Sequence, residues 1–470
     1  MRTRTQAMAH NASLALTEAN ASNARLNQPA IQSIPSGKGQ CMHSMNSMNV
    51  VTARLGILYA SGLRGMVRIA VVLAVTACWS ATDGTATAQT PIGWAAVNAK
   101  GVESTTGGGD GKVVEARTIK ELADYARRKE PLTILVKGTL SGKTVDIASN
   151  KTILGVGSDA TLVGAQLNMN GVSNIIIRNL TMSKATDGIA ARGTHHLWID
   201  HCDVSNCGDG AIDITKQSDL CTVSWTRFSK HRKTMLLNSG TSQDADKGKL
   251  NTTLHHNWWD GSSTRNPRAG YGKIHVFNCL YNGNGYGIGL HSQCLVRAER
   301  NYFDRVKNPI KQMYRPDPKD VHHGFCESVD NIFKDCSGAR DDEGRSFPVM
   351  DYYLYDFAMD RAADVPKIVK AKAGPAAEFG KLGPLPAPGN GAVSVSLQPK
   401  LRWTRAPEAT GYKVSFGETN PPKPAGEARE RTFSPGKLKP GTVYYWRVDR
   451  ITSKGPVQGE IWRFRTSSGK

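Results

Sequence analysis

Three charged residues recur at nearly even spacing in the middle of the chain. Asp187, Asp209 and Lys233 follow one another at intervals of little more than twenty positions, each beside a short β-branched or apolar run. A fixed period in the twenties is typical of a solenoid, in which one repeat forms one coil and equivalent positions lie above one another. Two carboxylates and an ammonium group would then meet on one face. Such a group of charges could hold a cation and an anionic substrate together.

A third carboxylate lies close to this group on the same predicted strand. Alternate residues of a strand share a face, so Asp209 and Asp213 point one way while Ile212 points into the coil. Three carboxylates on two adjacent coils would repel one another unless a cation lies between them. Ca²⁺ prefers oxygen ligands of this kind, so Asp187, Asp209 and Asp213 are the predicted calcium ligands. The alternative is that they are turn aspartates that cap strand ends.

Basic residues follow on the next coils. Lys233 lies one coil beyond Asp209, and Arg265-Asn266-Pro267-Arg268 begins a later strand. A guanidinium group matches a carboxylate in a planar fork, so Lys233, Arg265 and Arg268 could bind a run of carboxylates. Each of these residues alone would more often be a solvated surface charge. Their shared register makes them candidate ligands for an acidic substrate.

Short strands would position these residues. The runs are bounded by Gly, Asn, Asp and Ser and carry no convincing period of 3.6, which predicts strands and turns. The predicted fold is all-β, a right-handed parallel β-helix followed by a small β-sandwich. One step between aligned positions, from Thr226 to Asn257, is longer than the others and predicts an insertion at 238–251 on the binding face. The aligned positions are Asn179, His201, Thr226, Asn257, Asn278 and Asn301.

The chain divides further by composition. Residues 1–65 lack a pattern and are predicted to be a non-structural extension. Residues 66–88 resemble a bacterial secretory signal whose apolar run is too short to span a membrane, which predicts a secreted protein. The β-helix is expected over 89–370, a Pro-, Gly- and Ala-rich linker over 371–391, and the second domain over 392–470.

Predicted export affects how the chain could be anchored and crosslinked. A lipoprotein-like box ends at Cys78, so a lipid anchor there is the alternative to soluble secretion. Export also makes the later cysteines candidates for disulfides, and Cys326 and Cys336 could close the end of the solenoid.

The formal net charge of +20 suits an acidic partner, but no nucleic-acid module is recognisable and the basic residues are scattered. The sequence carries no clear signal for an oligomer, and we expect a monomer.

Several motifs occur in an order that resembles polysaccharide lyase family 1, the pectate lyases. The similarity covers about residues 92–345. Its motifs include Gly107-Gly108-Gly109, Trp198-Ile199-Asp200-His201, Asp209–Asp213, Lys233-Thr234-Met235-Leu236, His255-His256-Asn257 and Arg265-Asn266-Pro267-Arg268. The signature at 198–201 is expected to pack and hydrogen-bond rather than to catalyse. In the second domain, the segment 438–448 resembles a fibronectin type III domain.

The resemblance implies a secreted, calcium-dependent pectate lyase. The three aspartates would bind catalytic Ca²⁺, Arg265 would be the base that takes the C5 proton of a galacturonate, and Lys233 would bind the substrate carboxylate, with Arg268 as a further contact. The reaction would be a β-elimination that cleaves α-1,4-polygalacturonate to 4,5-unsaturated oligogalacturonates. A guanidinium rarely loses its proton, so an alkaline optimum is expected.

Two departures from the family pattern leave alternatives open. Ala185 stands where some members have a further aspartate, which implies fewer ions, and Gly270 replaces the last arginine of Arg-x-Pro-Arg-x-Arg. A calcium-independent pectin lyase would act on methyl-esterified polymer, but the retained aspartates argue against it. A hydrolase on the same solenoid would leave Arg265 unexplained. A non-catalytic protein that binds acidic polysaccharides is the remaining alternative.

Overall fold

The computed structural model describes residues 90–240, 244–314, 322–342, 344–406 and 408–469. The expected extension and signal at 1–88, with Cys78, lie outside the described residues. Within these ranges, no helix is both long and apolar enough to cross a membrane.

Three parallel sheets run along the first domain, and successive coils add strands to each. The first sheet contains β1 (Lys112–Ala116), β2 (Leu132–Val136), β5 (Lys151–Gly155), β8 (Ser173–Arg178), β11 (His195–Asp200), β14 (Asp219–Ser224), β17 (Thr252–His255), β20 (Lys273–Phe277), β23 (Leu295–Glu299) and β26 (Phe325–Val329). The second contains β4 (Val145–Asp146), β7 (Leu167–Asn170), β10 (Ile189–Arg192), β13 (Gly210–Thr215), β16 (Lys233–Leu237), β19 (Arg268–Gly270), β22 (Ile288–His291) and β25 (Ile310–Gln312). The third contains β3 (Thr139–Ser141), β6 (Thr161–Val163), β9 (Thr181–Ser183), β12 (Asp203–Ser205), β15 (Arg227–Ser229), β18 (Trp258–Asp260), β21 (Leu280–Asn282), β24 (Tyr302–Asp304) and β27 (Ile332–Lys334). The predicted parallel β-helix is confirmed.

The strand register corrects the repeat alignment inferred from the sequence. One residue directly after each central strand of the first sheet has a positive φ, between 47° and 60°, and turns the chain towards the third sheet. These residues are Asn179, His201, Trp225, His256, Asn278 and Arg300. The intervals between these residues are nearly equal, apart from the long interval that contains the insertion. The alignment made from the sequence used Thr226, Asn257 and Asn301 instead, which lie one position beyond this column. Asparagine tolerates the left-handed region, whereas Trp225 and Arg300 give no sequence signal for it.

The interior of the β-helix is one apolar core that runs along all three sheets. The middle residues of five strands of the third sheet form a continuous aromatic stack, with ring centroids 4.3–5.6 Å apart. The stacked residues are Phe228, Trp259, Tyr281, Phe303 and Phe333. Since a solenoid coil contacts only its neighbours, this stack joins successive coils through side chains as well as backbone.

A short helix covers the N-terminal end of the core. Helix α1 (Ile119–Ala126) begins at Thr118, whose side chain accepts a hydrogen bond from Glu121 N, while the Glu121 carboxylate accepts from Thr118 N. This capping box satisfies two backbone donors at the start of the helix. Leu122 and Ala126 are buried against β1, β2 and β4. The helix thereby closes an end that would otherwise expose apolar side chains.

The cysteines do not form the disulfides expected of an exported protein. In the described residues all seven are free thiols, and five of them are fully buried, Cys202, Cys221, Cys279, Cys294 and Cys326. The expectation that Cys326 and Cys336 close the end of the solenoid is therefore wrong. Burial raises the pKa of Cys207 to about 11, which keeps this half-buried thiol protonated near neutral pH. The buried cysteines fill the core as small apolar side chains.

The segment at 371–391, expected as a linker, packs against the outside of the first sheet. It follows helix α2 (Val365–Lys372), and Ala376 N donates to Asn179 Oδ1 at 2.8 Å. Phe379 lies over His201 with ring centroids 3.6 Å apart, and Leu385 packs with Trp198. The composition suggested a semi-rigid spacer, but its few apolar residues find a complementary surface on the β-helix.

The C-terminal domain consists of two small sheets around one core. The smaller sheet contains β28 (Pro386–Ala387), β30 (Leu401–Trp403) and β33 (Thr432–Phe433). The larger contains β29 (Ala392–Val395), β31 (Gly411–Gly417), β32 (Pro424–Ala428), β34 (Val443–Thr452), β35 (Gly455–Val457) and β36 (Ile461–Thr466). Trp403, Trp446 and Phe464 are buried between the sheets, which explains the alternating pattern in the sequence. The small β domain is thus confirmed.

A buried ion pair lies beneath the packed segment. Arg178 Nε is 3.0 Å from Asp200 Oδ2, and both side chains are almost fully buried. Asp200 also accepts a hydrogen bond from Ser224 and contacts His201 Nδ1 at 2.6 Å. Burial opposes ionisation of Asp200, but His201 and Arg178 keep its pKa below the usual range. This network accounts for the signature at 198–201 in structural terms, as the sequence analysis expected.

We expect Asp200→Ala to destabilise the protein strongly, because it leaves the Arg178 charge buried without its partner. The free energy of unfolding should fall by about 3–5 kcal/mol, measured by urea denaturation. The matched control is Asp124→Ala, which breaks exposed ion pairs with Lys120 and Arg127 and should cost less than about 1 kcal/mol. Equal losses in the two variants would contradict the importance assigned to the buried pair.

Candidate active site

Adjacent coils bring the predicted charged residues together at one end of the second sheet. Asp187 precedes β10, Asp209 precedes β13, and Lys233 begins β16, where it pairs with Gly210. Gly210 N donates to Asp187 Oδ1 at 2.8 Å, which ties the first carboxylate to the next coil. Lys233 Nζ contacts Asp209 Oδ1 at 2.8 Å, so the predicted substrate ligand and a predicted metal ligand are ion-paired. The Lys233 hydrogen bond lowers the pKa of Asp209.

Asp213 is the most perturbed carboxylate of the group. It lies further along β13, and its Oδ1 is buried without a hydrogen-bond partner among the described residues. Burial, and then the negative charge of Asp187, raise its pKa to about 7, although Arg265 opposes the shift. The carboxyl group of Asp213 is therefore held where a bound cation would relieve both desolvation and repulsion.

The donor chemistry of these residues fits calcium, although the side chains are not closed around a central point. Asp187, Asp209 and Asp213 provide hard carboxylate oxygens on two neighbouring coils, and Asp213 Oδ1 is unsatisfied. In the described part of the chain, no three acidic, histidine or cysteine side chains already converge in a metal-binding arrangement. Binding of an ion would have to draw Asp209 from its contact with Lys233.

The two predicted arginines lie on the following coil. The backbone of Lys233 forms a parallel β-bridge with Thr264, and Met235 N donates to the carbonyl of Arg265 at 2.7 Å. Arg265 has φ 63°, an uncommon conformation for a residue with a side chain, and its half-buried guanidinium forms no ion pair with a described acidic residue. Arg268 begins β19 and contacts the Tyr314 hydroxyl at 3.4 Å.

A groove of about 250 Å³ joins these residues to the insertion expected at 238–251. Arg265 and Arg268 line one side, and Asn238, Ser239 and Gly240 line another. The insertion begins directly after β16 and contains a short 3-10 turn at 244–246. An acidic chain in this groove would meet two guanidinium groups close to the carboxylate cluster. The structure therefore brings all six predicted site residues to the same region.

Sequence reasoning missed the residues that accompany Gly270. A Cβ atom at Gly270 would lie 2.8 Å from Asn238 Cγ, so the buried Asn238 side chain occupies the space beside it. Asn238 Nδ2 lies 3.0 Å from His291 Nδ1. Burial, with the charge of Arg268, lowers the pKa of His291 to about 4, so the neutral ring can accept this hydrogen bond. The glycine was visible in the sequence, but its partners lie on other coils.

Comparisons with known proteins agree with this architecture. A family model described as pectate lyase matches residues 55–318. A pectate trisaccharide-lyase of Thermotoga sp. (strain RQ2) is 30% identical over 355 residues, which is 66% of this chain and 95% of the relative. Pectate lyase plyB of Emericella nidulans is 33% identical over 44% of this chain and 67% of its own length.

A solved structure shows the same fold. The crystal structure of pectate lyase Bsp165PelA from Bacillus sp. N165, in complex with trigalacturonate, superimposes with a TM-score of 0.54 at 25% identity and covers 61% of this chain and 98% of that one. Fold, site and relatives together define a polysaccharide lyase. The chain belongs to the pectate lyase family.

We expect Asp213→Asn to stabilise the protein at pH 8 in the presence of a chelator. The folded state holds the Asp213 proton up to a pKa of about 7, whereas the unfolded state releases it near pH ~4. The cost of the buried charge is therefore complete above pH 7, shrinks as pH falls, and is absent below pH ~4. The variant should melt a few degrees above wild type at pH 8 and gain nothing at pH 4.

Calcium should reverse this order, because only wild type would gain stability from an ion held by all three carboxylates. The measurement is differential scanning calorimetry of both proteins with chelator and with added Ca²⁺. Asp203→Asn, which changes a carboxylate of the third sheet, is the control for the calcium response. A wild-type melting temperature that does not change when Ca²⁺ is added would contradict the assignment of the three aspartates as calcium ligands.

Gly270→Arg should fail to restore the family arginine unless Asn238 is also changed. The new Cβ would collide with Asn238, and overpacking of this kind costs about 1–3 kcal/mol of unfolding free energy. Asn238→Ala removes the colliding atoms, so the double variant should be more stable than the sum of the two single changes predicts. Urea denaturation of all three variants gives this coupling, and strictly additive effects would show that the two positions are independent.

Proposed function

We propose that this pectate lyase is secreted, depends on calcium, and cleaves α-1,4-polygalacturonate by β-elimination to 4,5-unsaturated oligogalacturonates. The observation that carries the proposal is the guanidinium of Arg265, which lines the groove with Arg268, has no acidic partner among the described residues, and lies on the coil next to the carboxylates and Lys233. The Bacillus sp. N165 structure, solved with trigalacturonate, supports the substrate class.

Each residue has a distinct role in this proposal. Asp187, Asp209 and Asp213 would hold calcium, which when bound supplies positive charge that acidifies the C5–H of the adjacent uronate. Lys233 releases Asp209 and binds the substrate carboxylate, and Arg268 binds a further carboxylate in the groove. Both contacts fix the sugar so that its C5 proton faces Arg265.

Arg265 then acts as the base. The C5 proton passes to its neutral guanidine group, the C5–H electron pair forms the C4–C5 double bond, and the bond from C4 to the glycosidic oxygen breaks. That oxygen takes a proton from solvent, so charge and atoms balance. A guanidinium gives up its proton only at strongly alkaline pH. The pH optimum should therefore be alkaline.

The remaining domain assignments complete the proposal. Residues 89–370 form the catalytic β-helix, 371–391 connect it to the second domain, and 392–470 are a fibronectin type III-like domain. Residues 66–88 direct secretion after an N-terminal extension at 1–65, and an anchored form would be attached at Cys78. The alternating strands around Trp446 support the identity of the C-terminal domain.

The test follows the ultraviolet absorbance of unsaturated ends when the protein is mixed with polygalacturonate. Absorbance should rise with added Ca²⁺ and stop with a chelator, and Arg265→Ala should lower kcat about 10²–10⁴-fold, the usual contribution of an acid–base group. Arg192→Ala is the matched control, because Arg192 lies on the same sheet but bonds Asn168 outside the groove. It should retain wild-type activity.

The same assay separates the alternatives. A rise that survives chelation and is faster on methyl-esterified polymer would indicate a calcium-independent pectin lyase. Binding without any rise would indicate a non-catalytic polysaccharide-binding protein. An optimum well below neutral pH would contradict Arg265 as the base.

A further inference from the structure

A second cleft lies away from the candidate active site, between the C-terminal domain and the start of the β-helix. It has a volume of about 520 Å³ and is lined mainly by the C-terminal domain, with Asp110 contributed by the β-helix. Four of its lining residues are the arginines Arg402, Arg405, Arg429 and Arg431. Only two acidic residues, Asp110 and Glu430, line it in the described part of the chain.

Two of these arginines hold the cleft in shape. Arg431 Nη2 contacts Asp110 Oδ2 at 2.9 Å, and the backbone N of Arg405 donates to Asp110 Oδ1 at 2.7 Å. Arg402 pairs with Glu103 of the β-helix. Asp110 and Glu103 thus fix the arginine-bearing strands and loops against the first domain. These contacts position the arginine-bearing strands and loops before any ligand binds, which lowers the ordering cost of binding.

The other two arginines remain available to a ligand. The side chains of Arg405 and Arg429 are exposed, and neither forms an ion pair with an acidic residue in the described ranges. Trp403 also lines the cleft, is 3% exposed, and its indole Nε1 has no hydrogen-bond partner within the described residues. Tyr412 packs edge-on against Trp403 with ring centroids 5.3 Å apart. The wall therefore offers two guanidinium forks to an acceptor-rich anion.

The cleft is separate from the candidate active site. Asp110 precedes β1, whereas Lys233 begins β16, which follows β14 in the same coil. In the first sheet β14 is five strands beyond β1, which is roughly 25 Å at the spacing of neighbouring strands. A short oligosaccharide would occupy one site at a time, while a long polymer could reach both.

We propose that this cleft is a second binding site for uronate chains, in which Arg405 and Arg429 recognise carboxylates of the polymer. The choice of a galacturonate chain as the ligand rests on the proposed function. The preference for a ligand with repeated carboxylates rests on the two exposed arginines of the cleft. Attachment of the polymer here raises its local concentration at the groove that contains Arg265. The site requires no metal ion, which distinguishes it from the aspartate cluster.

The test measures binding of long polygalacturonate by affinity electrophoresis in chelator, with all variants made in the full chain carrying Arg265→Ala so that no turnover occurs. Arg405→Glu with Arg429→Glu should weaken binding roughly tenfold, and the difference should disappear at about 1 M salt. The matched control reverses two exposed lysines of the same domain outside the cleft, Lys437→Glu with Lys454→Glu, and should change binding less than about twofold. Unchanged melting temperatures would establish that both double variants fold.

Two further arms separate the possible outcomes. With Arg265 intact, the cleft variant should cleave a short oligogalacturonate at the wild-type rate, since only long chains reach both sites. Equal loss of binding in the lysine control, no loss in the cleft variant, equal binding of fully methyl-esterified polymer, or equal competition by double-stranded DNA would each overturn the proposal. If unsaturated products never form but cleft-dependent binding persists, the lyase mechanism fails and the second binding site stands.

Discussion

The structure depends on the parallel ladder that joins one coil to the next. Each strand is short, and its backbone groups are satisfied only by the coils on either side, so the lateral position of every residue is set by the register of its neighbours. A slip of one residue would turn core side chains towards solvent. The same constraint places Lys233 beside Gly210 and next to Asp209. The ladder keeps its register across the long insertion after β16, so Arg268 of β19 pairs with Leu236 of β16.

Most polar groups near the first sheet are covered rather than exposed, which is costly unless each has a partner. Asp200 meets this requirement with Arg178, His201 and Ser224, and the segment carrying Phe379 excludes water from the network. The C-terminal domain is joined to the same surface. Arg431 Nη2 contacts Asp110 Oδ2 at 2.9 Å, and Arg405 N donates to Asp110 Oδ1 at 2.7 Å, so two segments of the domain are attached to the start of the β-helix. The second domain therefore has a fixed position beside the β-helix rather than a free tether.

The candidate active site carries the opposite arrangement, in which charges are left incompletely matched. Asp213 is desolvated near Asp187, and Arg265 has no acidic partner among the described residues. Such mismatches are unfavourable for folding and are typical of sites where a ligand supplies the missing charge. The contact between Lys233 and Asp209 satisfies both groups, and in the proposed function the substrate and the cation would each have to compete with it. The stable solenoid core offsets the cost of holding these mismatched charges at the surface.

The sequence by itself determined the class of fold and the candidate chemistry. The period of the repeat follows from the length of a coil, and the spacing of Asp187, Asp209 and Lys233 was sufficient to place them on one face. The register at Thr226, Asn257 and Asn301 was wrong by one position, because a left-handed corner residue such as Trp225 has no sequence signal.

Only the tertiary structure decided which groups share a local environment. It paired Lys233 with Asp209, filled the space at Gly270 with Asn238, left the described cysteines without disulfides, and brought Arg405, Arg429 and Asp110 to one cleft. The physical reason is that burial, charge pairing and shape complementarity depend on atoms brought together from coils and domains that are distant in the chain. A repeat fixes the positions of equivalent residues, whereas the surroundings of each residue are fixed by packing.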